Sequence, residues 1–177
     1  MTKWKVKNSE EVLQALPYLT VDKQKVVLPS GKIVNDYYQV NLPSFTSVLA
    51  TLQNNKLLVF RGYRHGIKGI SYSFPGGSVE KEESIKECAQ RELLEETGYC
   101  SKTWQHKGSF VGDASKGCGK YHIFLASNLQ KKTSPLSDDL EEEELVEMYP
   151  NELLEVVKNK KVVVSQGFIA TLFFALT

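Results

Sequence analysis

The stretch GGSVEKEESIKECAQRELLEETGYC, residues 76–100, concentrates negative charge in a chain that is otherwise balanced. Seven glutamates lie between Gly77 and Tyr99, while the chain of 177 residues has a formal net charge of +1. Like charges this close together repel one another, so the carboxylates need either solvent around them or a cation between them. Their positions along the segment distinguish the two explanations.

The periodicity of this stretch predicts a helix over residues 83–98. One face of that helix carries Ile85 and Cys88 in its first turns and Glu92 and Glu96 in its last turns. The two glutamates are four residues apart, so their charges repel, and they lie near the negative end of the helix dipole. A divalent cation would relieve both conflicts, because Mg²⁺ takes hard oxygen ligands. The acidic end therefore predicts a metal site, and the alternative is a solvated acidic face.

The spacing within the stretch is more specific than its charge. Its defined positions are Gly77, then Glu83 after five residues, then after seven more the run Arg91-Glu92-Leu93-x-Glu95-Glu96-x-Gly98-Tyr99. This pattern resembles the signature box of the Nudix hydrolases at every defined position. The segments LPSGK, VFRGYRHG, SFPGG, YHIFLA and EEEELVEMYPNEL resemble the ADP-ribose pyrophosphatase (ADP-sugar diphosphatase) branch of that family, so the resemblance extends over roughly residues 18–176.

The resemblance implies an enzyme that uses Mg²⁺, or Mn²⁺ in its place, to hydrolyse the pyrophosphate bond of a nucleoside diphosphate sugar such as ADP-ribose. The products would be AMP and a sugar phosphate. Two alternatives stay open: another substrate, such as GDP-mannose, NADH or an oxidised nucleotide, or a non-catalytic sensor that binds a nucleotide. The presence of Glu92, Glu95 and Glu96 counts against the sensor.

The resemblance also assigns roles by position. The groups expected to hold metal are Gly76 (through its carbonyl), Glu92, Glu96 and Glu144. The residues expected to act in catalysis beside them are Glu142, Glu95, Arg91 and Glu83. Glu142 would be the base, Glu95 would support the metal site or bind an additional ion, and Arg91 with Glu83 would orient the carboxylates. Residues 141–144 are four consecutive glutamates, so the positions of base and ligand stay open by one or two residues.

The expected substrate contacts are Arg61, Arg64, Tyr18 and Tyr37. The two arginines follow an apolar strand, and a guanidinium suits phosphate oxygens; the alternative is a pair of surface arginines. The two tyrosines match, by resemblance, aromatic rings that clamp adenine in the homodimers of this branch. Packing within the protein is the alternative role for either ring.

Patterns outside the acidic helix predict strands and closing helices. KVVLPSGKIVNDYYQVNL has two β-rich runs about a Pro-Ser-Gly turn, which predicts a hairpin, and SVLATL with KLLVFRGY predicts a second pair of strands. WQHKGSFVG, YHIFLASNL and LVEMY predict further strands, and Pro150 and Ser165 suit the starts of two terminal helices. This order favours an α+β or mixed-sheet sandwich. The resemblance makes it an α/β fold, the Nudix α/β/α sandwich with a mixed β-sheet and an N-terminal antiparallel β-hairpin region.

Length and composition narrow the remaining possibilities. We expect an N-terminal β-rich region over residues 1–45, forming part of a dimer interface, and a Nudix hydrolase domain over residues 46–177. A pI near 7.7 argues against nucleic acid or a membrane surface as the main partner. The small-molecule nucleotide-sugar substrate is what the resemblance implies. Three cysteines without a CxxC pair argue against a disulfide framework or a thiolate zinc site. With a polar N-terminus that does not resemble a signal peptide, they predict a cytoplasmic protein. The resemblance implies a homodimer.

Overall fold

The computed structural model describes residues 2–136, 143–159 and 162–176. These residues form eleven strands: β1 (Lys5–Ala15), β2 (Leu19–Val27), β3 (Ile33–Asn41), β4 (Phe45–Ala50), β5 (Leu57–Arg64), β6 (Gly69–Ser73), β7 (Tyr99–Cys100), β8 (Thr103–Asp113), β9 (Gly117–Ser127), β10 (Gln130–Lys131) and β11 (Glu143–Met148). The helices are α1 (Ile85–Thr97), α2 (Pro150–Asn159) and α3 (Gln166–Leu176). No helix of the described residues is both long enough and apolar enough to cross a membrane.

The described chain forms two compact units. The first contains the residues up to Ser44 together with Phe110–Lys120, and β1, β2 and β3 pair in it as an antiparallel sheet. The turn between β2 and β3 closes with a hydrogen bond from the Gly31 amide to the Leu28 carbonyl, so the predicted hairpin is confirmed. The sequence did not predict β1, because all of its residues are exposed and no apolar alternation marks it.

The second unit contains the described residues of Phe45–Ser109 and Tyr121–Thr177. Helices cover both faces of its strands. Val48 of β4 packs with Leu93 of α1 in one core. Leu49 points the other way, because side chains alternate along a strand, and packs with Leu153 of α2 and Phe168 of α3 in a second core. This arrangement confirms the predicted α/β/α sandwich.

The strands of the second unit lie in more than one sheet and form both parallel and antiparallel pairs, so the predicted mixture of strand directions is found. β4 pairs in parallel with β9, while β5 lies between β6 and β11 and is antiparallel to both. The predicted second pair of strands, β4 and β5, is therefore not a hairpin. The two strands share only an isolated bridge between Thr51 and Leu57 among the described residues. Both are buried on their two faces, as is typical of strands in the interior of a sheet, and each pairs with strands from other parts of the chain.

Helix α1 begins and ends at residues with specific local chemistry. The Ser84 hydroxyl accepts a hydrogen bond from the Glu87 amide, and the Glu87 side chain accepts one from the Ser84 amide, forming a capping box. Gly98 ends the helix in the left-handed conformation at φ 71°. The expected starts of the closing helices are also found, with α2 beginning at Pro150 and the Ser165 hydroxyl capping α3. The ends of α1 are thus determined by neighbouring residues.

Candidate functional site

A cavity of about 1500 Å³ opens in the second unit. Its walls are formed by the loop before α1, by the acidic face of α1, by the ends of β5, β6 and β11, and by the first turn of α3. Gly76, Glu92 and Glu96, three of the four residues expected to hold metal, line this cavity. We therefore take it as the candidate active site.

Two adjacent glycines bring the backbone against the acids of α1. The amide of Gly76 donates a hydrogen bond to Glu96 Oε2 at 2.8 Å. A Cβ atom at Gly76 would lie 2.0 Å from the carbonyl oxygen of Thr46, and its φ of +151° disfavours any side chain. A Cβ atom at Gly77 would lie 2.1 Å from Glu92 Oε1. The Glu96 and Glu92 carboxylates thus lie directly against the backbone of Gly76 and Gly77, at positions where a side chain would not fit unless a neighbouring group moved.

One guanidinium, that of Arg91, connects the other acids of the box. Its Nε and Nη2 donate to the two oxygens of Glu83 at 2.8 and 3.1 Å, and its Nη1 donates to Glu92 Oε1 at 2.8 Å and Glu95 Oε2 at 3.1 Å. The hydrogen bonds from Arg91 hold the pKa of Glu83 at about 2, and the same bonds raise the pKa of Arg91. Arg91 therefore fixes the orientation of three carboxylates at once.

The Glu92 carboxylate carries a charge that the protein only partly compensates. Burial raises the pKa of Glu92, and the neighbouring Arg91 offsets this in part. In the part of the chain that the structure describes, no three carboxylate, imidazole or thiolate groups converge as a preformed metal site. The described oxygens are engaged elsewhere, because Glu92 and Glu95 accept from Arg91 and Glu96 accepts from Gly76. The donor set consists of carboxylate and carbonyl oxygens, which fits a hard divalent cation.

Strand register separates the two described glutamates of the acidic run. Glu143 pairs with Gly62 and lines the cavity, whereas Glu144 pairs with Arg61 and is not among the lining residues. The side chain of Glu143 is 9% exposed and forms an ion pair with Arg64, while that of Glu144 is 68% exposed and lies 3.8 Å from Arg61. The predicted ligand at Glu144 stays a prediction, and the predicted base, Glu142, lies outside the described residues.

The remaining predicted substrate residues divide between the units. Arg64 lines the cavity, and its Nη2 also donates to Ser73 Oγ at 2.8 Å, whereas Arg61 is not a lining residue. Tyr18 and Tyr37 belong to the first unit. Tyr18 is 75% exposed; the Tyr37 hydroxyl donates to the Ser115 carbonyl, and its ring packs edge-on against Trp4 at 5.8 Å. The substrate roles of Tyr18 and Tyr37 stay predictions.

Several residues that line the cavity were given no role in the site by the sequence analysis. They are Tyr63, His65, Ile67, Ser73, Tyr121 and Glu143. Glu143 lies within the acidic run, but the predicted strand LVEMY begins after it, so alternation along that strand did not separate it from Glu144. The others come from segments far apart in the chain, so only the folded arrangement reveals them.

Comparison with known proteins identifies a family for most of the chain. A family model described as "NUDIX domain" matches residues 43–171. The chain is 30% identical over 152 residues to the methanol dehydrogenase activator of Bacillus methanolicus, covering 85% of this chain and 82% of that protein. It is 27% identical over 162 residues to the ADP-ribose pyrophosphatase of Bacillus subtilis, covering 82% and 84%.

Two further similarities concern a more distant relative and a solved structure. The chain is 26% identical over 163 residues to CMP-5'-(N-acetyl-N-hydroxy-3-aminopropyl)phosphonate hydrolase of Streptomyces rubellomurinus, covering 92% of this chain and 78% of that protein. The crystal structure of an ADP compounds hydrolase matches with a TM-score of 0.84 over 99% of this chain and 94% of that chain. Sequence identity there is 20%, so this likeness concerns the fold.

Proposed function

The chain belongs to the Nudix hydrolase family, and from that membership we propose that it hydrolyses the pyrophosphate bond of ADP-ribose or a related nucleoside diphosphate sugar to AMP and a sugar phosphate. One observation carries the proposal: the acids Glu92 and Glu96, held against bare backbone, share a cavity with Arg64. Such a cavity offers carboxylates for a cation and a guanidinium for phosphate oxygens.

Nudix hydrolases generally use divalent metal ions, and we propose Mg²⁺ for this chain, with Mn²⁺ able to replace it. The proposed ligands are Glu92, Glu96, the Gly76 carbonyl and one glutamate of the run 141–144. Resemblance selects Glu144 for that position, whereas the lining of the cavity selects Glu143 among the described residues. When bound, the metal would supply the positive charge that an anionic pyrophosphate needs before water attacks it. The partly uncompensated charge of half-buried Glu92 supports a cation at this place.

The protein's own groups have separate tasks in this proposal. Arg91 and Glu83 hold the carboxylates in place through the network that Arg91 forms, and Glu95 extends this network. Arg64 contacts the phosphate oxygens, because it lines the cavity beside Ser73 and Glu143 and a guanidinium suits phosphate oxygens. Glu142 takes the proton as water attacks phosphorus and the bridging P–O bond breaks.

The assay that tests the proposal is release of AMP from ADP-ribose by the purified protein with Mg²⁺. We expect hydrolysis that EDTA abolishes and Mg²⁺ or Mn²⁺ restores. Glu96→Gln should lower kcat by orders of magnitude and leave the thermal unfolding temperature nearly unchanged, since Glu96 is assigned to metal rather than to packing. Near-normal turnover in that variant would refute the metal assignment.

A substrate panel identifies the preferred nucleotide. It contains ADP-ribose, GDP-mannose, NADH, an oxidised nucleotide and a CMP-linked compound, the last because the Streptomyces relative is named for a CMP-linked substrate. We expect the highest kcat/KM for ADP-ribose or a similar ADP-sugar. If every compound stays intact in the presence of metal, the proposed hydrolysis is wrong.

The Bacillus methanolicus relative favours a second candidate function, an effect on a dehydrogenase. Methanol oxidation by a methanol dehydrogenase would be measured with and without this protein, and with Glu96→Gln in parallel. If the unaltered protein stimulates methanol oxidation and Glu96→Gln does not, the stimulation requires hydrolysis. No stimulation would remove this candidate.

We also propose a cytoplasmic homodimer. The three cysteines are free thiols, which fits a reducing compartment. Strand β1 is exposed along its whole length and carries the exposed apolar residues Val6, Val12 and Leu13, so a second copy of the chain would bury surface there. Sedimentation equilibrium should give twice the monomer mass, and a monomer at micromolar concentration would argue against the dimer.

A further inference from the structure

The tip of the hairpin between β5 and β6 presents apolar and aromatic groups to the cavity. Tyr63 is 45% exposed and Ile67 is 43% exposed, yet both line the cavity, as does the exposed His65. The rings of Tyr63 and His65 lie 6.3 Å apart at 62°, an edge-to-face arrangement. Exposed aromatic side chains inside a concave site are the typical binding surface for an aromatic ligand.

The hairpin tip has a defined backbone. Tyr63 pairs with Ile70 and Arg64 with Gly69 across the strands, so the register continues to the end of β5. A short 3₁₀ turn over His65–Ile67 then closes with a hydrogen bond from the Lys68 amide to the His65 carbonyl at 3.1 Å. The aromatic pair is therefore carried on regular structure, which lowers the entropic cost of binding a ligand there.

The neighbour of Tyr63 connects the tip to the proposed phosphate site. Arg64 also lines the cavity, and hydrogen bonding to Ser73 Oγ and the ion pair with Glu143 hold its guanidinium. Tyr63 and Arg64 are successive residues of β5, so their side chains leave opposite faces of the strand, and both line the cavity where β5 ends. A ligand whose phosphates contact Arg64 therefore meets the Tyr63 ring by extending past the end of β5. In a nucleoside diphosphate the group suited to that surface is the planar base, because stacking on a ring requires a π-face.

We propose that the tip, defined as Tyr63, His65 and Ile67, holds the nucleobase of the substrate by stacking on the Tyr63 ring. This inference rests on the proposed function and adds the position of the base within that site. It differs from the assignment of the base to Tyr18 and Tyr37 by resemblance. The hydroxyl and ring of Tyr37 are already engaged with Ser115 and Trp4, which leaves Tyr18 as the rival position.

Binding of the two product halves tests the proposal by isothermal titration calorimetry. AMP carries the base without the terminal sugar, and ribose 5-phosphate carries a sugar phosphate without a base. We expect Tyr63→Leu to weaken AMP binding at least about fivefold, since stacking on an aromatic ring contributes that much or more, and to leave ribose 5-phosphate binding unchanged. Tyr63→Phe keeps the ring and should bind AMP nearly as the unaltered protein does.

The matched control is Tyr38→Leu, because Tyr38 is exposed to the same degree, 46%, but lies in the first unit. It should bind AMP normally. Unchanged AMP binding in Tyr63→Leu overturns the proposal. It is also overturned if Tyr63→Leu weakens only ribose 5-phosphate binding, or if AMP binding is weakened in Tyr18→Leu instead of in Tyr63→Leu. If AMP, CMP, GMP and UMP all fail to bind the unaltered protein, the proposal is overturned too. Normal AMP binding without hydrolysis of any substrate would instead refute the proposed function and leave the base position standing.

Discussion

Arg91 and Glu83 form a two-pronged ion pair, with Nε 2.8 Å from Oε1 and Nη2 3.1 Å from Oε2. Two neighbouring nitrogens of the guanidinium thus bind the two oxygens of one carboxylate. The pair connects the loop before α1 to the middle of the helix. A pair of this kind between mostly buried side chains makes two testable contributions, one to stability and one to the position of Glu92, which shares the same guanidinium.

Glu83→Gln should lower the free energy of unfolding near neutral pH by about 1–2 kcal/mol, because the hydrogen bonds lose their charge. The Arg91 bonds lower the pKa of Glu83 from its ordinary 4.5 to about 2 in the folded protein. Its stabilisation is therefore fully present above pH 4.5 and is lost as the pH falls toward 2. Urea unfolding of both proteins at several pH values should show the difference shrinking in that interval. Glu10→Gln, at an exposed position of β1, should show no such trend.

Gly76→Ala and Gly77→Ala should have different effects although the glycines are adjacent. A methyl at Gly76 meets the backbone of Thr46 and requires a strained φ, so thermal unfolding should show a loss of about 1–3 kcal/mol. A methyl at Gly77 meets the Glu92 carboxylate, which can rotate away, so stability should change little. Displacing that carboxylate should weaken Mn²⁺ binding about tenfold or more. Equal stability losses in the two variants would contradict this explanation.

Glu143→Gln should lower kcat/KM far more than Glu144→Gln. Glu143 lines the cavity and forms an ion pair with Arg64, so its neutralisation removes a negative charge from beside a cavity-lining guanidinium. Glu144 is exposed, and its 3.8 Å pair with Arg61 should contribute under about 1 kcal/mol. Steady-state kinetics on ADP-ribose provides the measurement. The reverse order of effects would support the metal ligand at Glu144 that the sequence resemblance predicts.

Cys88 should be unreactive toward thiol reagents in the folded protein. Its side chain is fully buried, with Sγ 3.3 Å from Thr46 Oγ1, and burial raises the pKa of the thiol to about 11. Cys100 and Cys118 are partly exposed. Ellman's reagent should therefore titrate two thiols quickly and the third only after unfolding. In Cys118→Ser the fast count should fall to one, and rapid labelling of Cys88 would contradict its burial.

The acidic helix was predictable because its determinants are neighbours in the chain. Ser84 and Glu87 cap its start, Gly98 ends it, and the spacing from Gly77 to Tyr99 identifies the family. The first strand was not predictable, since β1 buries nothing that would produce a periodic pattern. The pairing of β4 with β9 rather than with β5 was equally invisible, because it joins segments far apart in the chain.

The sequence by itself determined which residues could carry the chemistry: the glycine pair, the carboxylates of the box, Arg91 and the acidic run. Local spacing suffices for this, because a helix repeats every ~3.6 residues and places its own side chains. Only the tertiary structure decided that Glu143 rather than Glu144 faces the cavity and that Tyr63 lines it with Arg64. Those neighbours depend on how β11 and β6 align with β5, and a shift of one residue in that register would turn every side chain to the opposite face.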